Sequence, residues 1–76
     1  MDIRKLFGAN MRRHRKAAGY SQEAVAERMG IDRAHVGAME RGEKNVTLLT
    51  IWLVCQALEL KPAQLFEESA GEVGAP

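Results

Sequence analysis

One twenty-residue segment, QEAVAERMGIDRAHVGAMER at residues 22–41, constrains the fold of this chain more than any other. Ala26, Gly30 and Val36 stand fifth, ninth and fifteenth in it. A small residue lets two helices cross closely, a glycine allows a sharp turn, and a later apolar residue holds the second helix against the first. The segment therefore predicts two short helices joined by a tight turn.

The first of these helices is expected at residues 22–29. Val25 and Met29 lie four apart, so both face inward, and Ser21 is placed to cap the start of the helix. The residue just past a helix end often has a positive φ, which glycine adopts without the steric cost of a Cβ atom. Gly30 therefore ends the helix and forms the turn.

The second helix is expected at residues 33–41, with Asp32 as its cap and Gly42 as its stop. Its inner side carries three residues at helical spacing, Val36, Met39 and Glu40. Its outer side has little bulk and a cation at each end, and consists of Arg33, Ala34, Gly37, Ala38 and Arg41.

A slim outer face of this kind can lie deep in the major groove of DNA. Arginine can bond bidentately to guanine O6 and N7, alanine can contact a thymine methyl group, and glycine holds no side chain between backbone and groove. The spacing is that of a DNA-binding helix-turn-helix. The alternative is an ordinary two-helix corner whose outer face is solvated.

The chain of 76 residues allows one domain, for which we predict an all-α fold of five helices. Helix 1 is expected at residues 2–18, helix 4 from just after Thr47 to about residue 59, and helix 5 at residues 62–68. The final sequence ESAGEVGAP has little apolar content. We therefore expect the domain to cover residues 1–68 and a flexible C-terminal tail to cover residues 69–76.

Charge is distributed unevenly along the chain. Residues 1–41 hold nine Lys or Arg against five Asp or Glu, a balance of +4, whereas residues 42–76 hold two against five, a balance of −3. The basic half contains the helix-turn-helix segment. This layout places attraction for phosphates, such as those of double-stranded DNA, on one side of the molecule and leaves the other side for a different task.

Several classes of protein do not fit this composition. A chain with 46% apolar and 28% charged residues, no apolar run near 18 residues and no secretory signal is expected to be a cytoplasmic protein without a membrane partner. No glycine-rich phosphate loop or cysteine–histidine metal spacing is present, so we expect no enzyme, no metal and no cofactor. Cys55 is the one cysteine and is interpreted as a small buried residue.

Predicted helix 4, TLLTIWLVCQALEL, is more apolar than a helix with one buried face requires. One stripe is formed by Leu48, Ile51, Cys55 and Leu58. Four further apolar residues lie largely outside that stripe, Leu49, Trp52, Leu53 and Leu60. An exposed apolar patch often marks an interaction surface, so we predict a homodimer through helix 4 and the start of helix 5, with these four residues at its interface. The alternative is a helix buried against helices 1 and 5, with Trp52 at its rim.

These residues together resemble the Cro and lambda-repressor-like helix-turn-helix proteins, the XRE family. The likeness covers about residues 7–66 and is carried by QE-VA--MG at residues 22–30 and by VGA at residues 36–38. The segment IDRAHVGAMERGEKNVTL, residues 31–48, is similar to restriction-modification controller proteins. The resemblance implies a transcriptional regulator that binds an inverted-repeat operator as a homodimer and blocks or recruits RNA polymerase.

The resemblance also implies roles for individual residues. Gln22 would contact a phosphate at the start of helix 2. Four positions on helix 3 would meet bases or their backbone, Arg33, Ala34, His35 and Ala38. Arg41 and Lys44 fall where backbone contacts follow helix 3. A buried ion pair between Arg15 and Glu40 would be structural.

Four positions depart from the family pattern. His14 stands at a usual leucine and is either a partly buried core residue or a titratable group that can weaken packing. Ala34 and Gly37 replace hydroxyl residues, which leaves Arg33 with more of the base readout. Glu59 stands at a common glycine. An antitoxin-like interaction module with secondary DNA binding remains the alternative function.

Overall fold

The computed structural model describes residues 1–68, and every regular element in that part is helical. The elements are α1 (Ile3–Ala17), α2 (Gln22–Met29), α3 (Arg33–Glu40), α4 (Leu48–Leu58) and a 3-10 helix (Pro62–Phe66). The predicted all-α class is confirmed. The tail predicted at residues 69–76 lies outside the described residues.

The predicted fifth α-helix at residues 62–68 is wrong, because this segment is a 3-10 helix that ends at Phe66. The Gln64 N–H donates to the Lys61 carbonyl at 2.9 Å, and the Gln64 side-chain oxygen accepts from the Lys61 N–H at 2.9 Å. Bonds between residues three apart wind the chain tightly, and such runs are short. Leu65 anchors the segment, since it is fully buried in the core.

The helices begin at residues that supply hydrogen-bond acceptors. Ser21 Oγ accepts from the Ala24 N–H at 3.0 Å, and Thr47 Oγ1 accepts from the Thr50 N–H at 3.1 Å, which satisfies donors that a helix start leaves free. The side-chain cap expected from Asp32 is not formed. Its backbone carbonyl instead accepts from the His35 N–H at 3.0 Å and closes the first turn of α3.

Two helices end in a left-handed residue. Gly30 has φ 74°, and the following Ile31 N–H donates to the Ala26 carbonyl at 3.0 Å, which closes the end of α2 and starts the turn. Glu59 ends α4 with φ 57°, although it carries a Cβ atom. Helix α4 therefore ends in a left-handed residue as α2 does, but the residue is Glu59 instead of the usual glycine, and its backbone is strained.

The core lies between the four α-helices and the 3-10 helix, which together contribute its largest fully buried side chains, Phe7, Met11, Met39, Leu65, Val25, Val36 and Val54. Helix α1 crosses α3 with almost no space between their backbones. A Cβ atom added to Gly8 would lie 2.4 Å from the Met39 carbonyl oxygen and 2.6 Å from that of Glu40. This contact holds α3 at the surface at a fixed distance from α1.

The N-terminal half of α4 extends past the core. Leu48 was expected in the buried stripe, but it is 85% exposed and Ile51 is only half-buried. The buried residues of α4 all lie in its last five positions, Val54, Cys55, Ala57 and Leu58. The stripe prediction is therefore wrong at Leu48, because helical spacing gives the face of a helix but not where the neighbouring elements stop.

Within the part of the chain that the structure describes, no helix combines the length and the apolar character needed to cross a bilayer.

Candidate nucleic-acid interface

The outward side of α3 presents an exposed cation and small residues. Arg33 and Ala34 in the first turn are exposed, and His35 is half-buried beside them. Because the first turn of α3 follows directly after the Gly30 turn, these side chains stand at the end of the helix nearest α2. This end of α3 is the part that a major groove could receive most directly.

Two residues predicted to lie bare on that face are instead covered. Gly37 is buried and Ala38 is only 9% exposed. A Cβ atom at Gly37 would lie 3.1 Å from Arg41 Nη1 and 3.6 Å from Gln22 Oε1, so two long side chains cross above the glycine. The prediction of an open face there is wrong, because helical spacing shows which side a residue occupies but not which neighbours fold over it.

Gln22 joins α2 to the buried side of α3. Its side-chain Nε2 donates to Glu40 Oε1 at 3.0 Å, and the residue is half-buried. One of the two N–H donors of the Gln22 amide is therefore used within the molecule. The predicted phosphate contact of Gln22 would have to use the other donor.

Arg15 and Glu40 form an ion pair in the interior. Arg15 Nε lies 2.6 Å from Glu40 Oε2 and Nη2 lies 3.1 Å from Oε1, with side-chain exposures of 9% and 1%. Arg15 Nη1 also donates to the Tyr20 carbonyl at 2.9 Å. Since Glu40 accepts from Gln22 as well, one carboxylate ties α1, α2 and α3 together.

Arg41 and Glu43 form a second two-bond pair at the surface, just beyond α3. Arg41 Nε lies 3.1 Å from Glu43 Oε2, and Nη2 lies 3.2 Å from Oε1. The hydrogen bond from the guanidinium lowers the pKa of the Glu43 carboxyl, and the same bond raises the pKa of Arg41. Both groups are therefore charged at neutral pH. Glu43 was not among the residues that the sequence singled out, although opposite charges two apart were a visible signal.

Lys44 follows in the segment between α3 and α4, and its side chain is exposed. With Arg33 and Arg41 it provides three exposed cations on or just after the second helix of the motif. Arg41 is paired with Glu43, and Lys44 follows Glu43 directly in sequence. The local charge near the end of α3 is therefore mixed rather than purely positive.

The predicted dimer residues divide into exposed and half-buried members. Leu49 and Trp52 are 68% and 50% exposed, whereas Leu53 and Leu60 are half-buried and pack against the core cluster. Leu48, at 85% exposure, belongs with the exposed pair. We call these three residues, Leu48, Leu49 and Trp52, the α4 patch.

His14 has little solvent contact and an unsatisfied ring nitrogen. Its side chain is 16% exposed, and Nε2 has no hydrogen-bond partner among the described residues, with Glu67 Oε1 at 3.9 Å. Cys55 is buried in the core, and burial raises the pKa of its thiol. Neither residue lies in the helix-turn-helix, since one is in α1 and the other in α4.

A family model described as helix-turn-helix matches residues 11–65 of the chain. The restriction-modification controller protein C.AhdI from Aeromonas hydrophila has a similar solved structure, with 43% identity, a TM-score of 0.80 and coverage of 83% of this chain and 96% of that one. The hypothetical transcription factor NHTF from Neisseria is similar at 35% identity and a TM-score of 0.85, covering 95% and 83%. The control protein C.SmaI of Serratia marcescens is 38% identical over 65 residues, which are 86% of this chain and 77% of that protein.

Proposed function

This chain belongs to the helix-turn-helix family of DNA-binding transcriptional regulators, and from that membership we propose that it binds an inverted-repeat operator as a homodimer. Each subunit places the first turn of α3 in the major groove. Occupancy of the operator then blocks RNA polymerase or, from an adjacent position, recruits it. The names of the relatives C.AhdI and C.SmaI support a role as a restriction-modification controller protein.

One observation carries this proposal: the first turn of α3 is charged and exposed, while a buried ion pair holds the end of the same helix in place. Arg33 in the first turn of α3 is exposed, while Glu40 in the last turn is held by Arg15 at 2.6 Å. A reading helix must keep its orientation while its outward side chains meet base edges. The buried pair supplies the orientation, and Arg33 supplies a donor fork that matches guanine O6 and N7.

The homodimer is supported by the α4 patch. Leu48, Leu49 and Trp52 present a group of large apolar side chains on one helix, and exposed apolar surface of this kind is typical of a protein interface. In a symmetric pair the same patch meets itself across a two-fold axis. Two copies of α3 related by that axis would face one duplex, which is why the operator is expected to be an inverted repeat.

Selection of bound duplexes from a random pool tests the proposal. We expect a consensus with two half-sites in inverted orientation, about 10 base pairs apart from centre to centre. A single half-site would contradict the dimer, and the absence of any enriched sequence would contradict specific DNA binding. A protein that enriches no duplex but copurifies with another protein would favour the antitoxin-like alternative.

Two single variants test the division between readout and backbone contact. Arg33→Ala should weaken operator binding by about 1 to 3 kcal/mol and relax the preference at one base pair per half-site, because a base contact is lost. Lys44→Ala should weaken binding to all sequences alike and reduce the slope of log affinity against log salt by about 1. Titrations on operator and random DNA measure both. Equal losses on the two DNAs for Arg33→Ala would remove its role in readout.

A further inference from the structure

The Arg41–Glu43 pair uses only one edge of the arginine. A guanidinium has five N–H donors in a planar fork, and Glu43 accepts two of them, one from Nε and one from Nη2. Three donors remain, two on Nη1 and one on the outer side of Nη2. One donor from each nitrogen points forward in parallel, so the end of the side chain forms a second two-donor edge.

Gly37 marks the position of the guanidinium relative to α3. Arg41 Nη1 lies 3.1 Å from the position that a Gly37 Cβ atom would occupy, so the guanidinium reaches back over the middle of α3 while 61% of the Arg41 side chain stays exposed. Gly37 stands one turn before Arg41 on the same face of α3, and it is itself buried beneath the side chains of Arg41 and Gln22. The free edge of Arg41 is therefore carried on the surface that the proposed function assigns to DNA.

We propose that Glu43 is a positioning residue, which holds Arg41 above Gly37 so that the free edge of the guanidinium binds two adjacent acceptor atoms of DNA. This inference rests on the proposed function and adds a residue to it. The two acceptors are either O6 and N7 of a guanine or two oxygens of one phosphate, since both present parallel lone pairs to an arginine fork.

The proposal reverses the sign that simple electrostatics gives for Glu43. A carboxylate beside a DNA-binding surface repels phosphates, so its removal should strengthen binding to every sequence if charge alone matters. A positioning role predicts the opposite. Without Glu43, Arg41 has to give up the freedom of a long side chain when it binds, and part of its contact energy is spent on ordering it.

The test uses Glu43→Gln, which keeps the shape of the side chain, removes its charge and leaves one acceptor oxygen in place of two. We expect affinity for the selected operator to fall about tenfold, which corresponds to roughly 1.4 kcal/mol. The matched control is Glu27→Gln, which removes the same charge from an exposed residue of α2 and should leave affinity unchanged or higher. Thermal melting of each variant checks that the fold is retained.

A double-mutant cycle asks whether Glu43 acts through Arg41. In an Arg41→Ala background, Glu43→Gln should cause no further loss, because no guanidinium remains to be positioned. Gly37→Ala is an independent probe, since its methyl group would displace Arg41 Nη1 while alanine favours the helix. This variant should lose operator affinity without a lower melting temperature.

Binding to operators with single base-pair changes shows whether the two acceptors belong to a guanine or to a phosphate. If Arg41 binds a guanine edge, Glu43→Gln relaxes the preference at one base pair per half-site, and if it binds a phosphate, Glu43→Gln weakens every operator by the same factor.

Unchanged or tighter operator binding by Glu43→Gln would overturn the inference and leave the proposed function intact. A tenfold loss that persists in the Arg41→Ala background would overturn it as well. A wild-type protein that selects no duplex would overturn the proposed function and this inference together.

Discussion

At the scale of single residues, the molecule separates the charges that hold α3 from those that face outward. Arg15 and Glu40 are buried and bonded to each other, while Arg33 is exposed on the same short helix as Glu40. The desolvation of a buried charge is balanced only while its partner is present, whereas an exposed charge is solvated with or without one. The two groups should therefore respond very differently to substitution.

Arg15→Met should lower the free energy of unfolding by about 3 to 5 kcal/mol, because Glu40 would be left as an unpaired charge in the interior. Arg33→Ala should leave the free energy of unfolding within about 0.5 kcal/mol of the wild type. Thermal and urea unfolding measure both variants. Equal melting temperatures would contradict the structural role of Arg15. Replacement of both Arg15 and Glu40 by apolar residues should recover much of the loss, since no charge is then stranded.

At the scale of elements, sequence patterns gave the helices reliably where local chemistry decides them. Helix α2 is capped by Ser21 at its start and by Gly30 at its end. Both residues can be recognised in the sequence, because serine supplies a hydroxyl acceptor and glycine has no Cβ atom. Segments whose structure depends on neighbouring elements were harder to predict. The 3-10 winding of residues 62–66 and the exposure of Leu48 follow from where the core ends, which helical spacing does not encode.

The same limit applies to the candidate interface. Arg33 was expected to be exposed and its side chain lies in solvent, but a period of 3.6 residues alone would group it with Val36 and Glu40; its exposure follows from its place in the first turn of α3. The side chains that lie over Gly37 could not be predicted, because their positions depend on the rotamers of Arg41 and Gln22 and not on helical spacing. The Arg41–Glu43 pair was likewise missed, although the two opposite charges were visible, because it forms just past the end of α3, where helical spacing no longer assigns side-chain neighbours.

The end of α4 provides a prediction for a whole element. Glu59 has φ 57°, a conformation that costs an L-residue about 1 kcal/mol and glycine almost nothing. Glu59→Gly should therefore stabilise the domain by up to about 1 kcal/mol, or a rise in melting temperature of roughly 4 to 8 °C for a domain of this size.

The control for this variant is Glu59→Ala, which also removes the exposed carboxylate 3.9 Å from Arg28 Nη2 but retains a Cβ atom. It should give no gain in melting temperature. Equal stabilisation by both substitutions would show that the carboxylate, rather than the backbone, is the source of the strain.

At the scale of the whole molecule, two surfaces have different chemistry. The outward side of α3 and the residues just after it carry exposed cations, whereas the N-terminal half of α4 carries exposed apolar side chains. A single small domain buries a limited share of its apolar surface, so a second copy is a direct way to cover the α4 patch. The arrangement supports a division in which α4 pairs subunits and α3 faces the duplex.

Leu49→Asp tests that division, because it places a charge on a residue that is 68% exposed in the subunit and central to the proposed interface. Sedimentation should show a dimer of two 8.4 kDa chains for the wild type and a monomer for the variant. Operator affinity should fall with it, since one half-site contact is lost. Ala9→Asp adds the same charge on the exposed side of α1 and should leave the dimer intact. A wild type that sediments only as a single chain would remove the dimer from the proposal.

The backbone contact at Gly8 has a consequence for how this domain can change. Where α1 meets the Met39 and Glu40 carbonyls, no side chain separates the two helices, so a Cβ atom at position 8 would push α3 away from α1. Under the proposed function, the depth to which α3 enters a groove therefore depends on residue 8 being glycine, although that residue is itself buried.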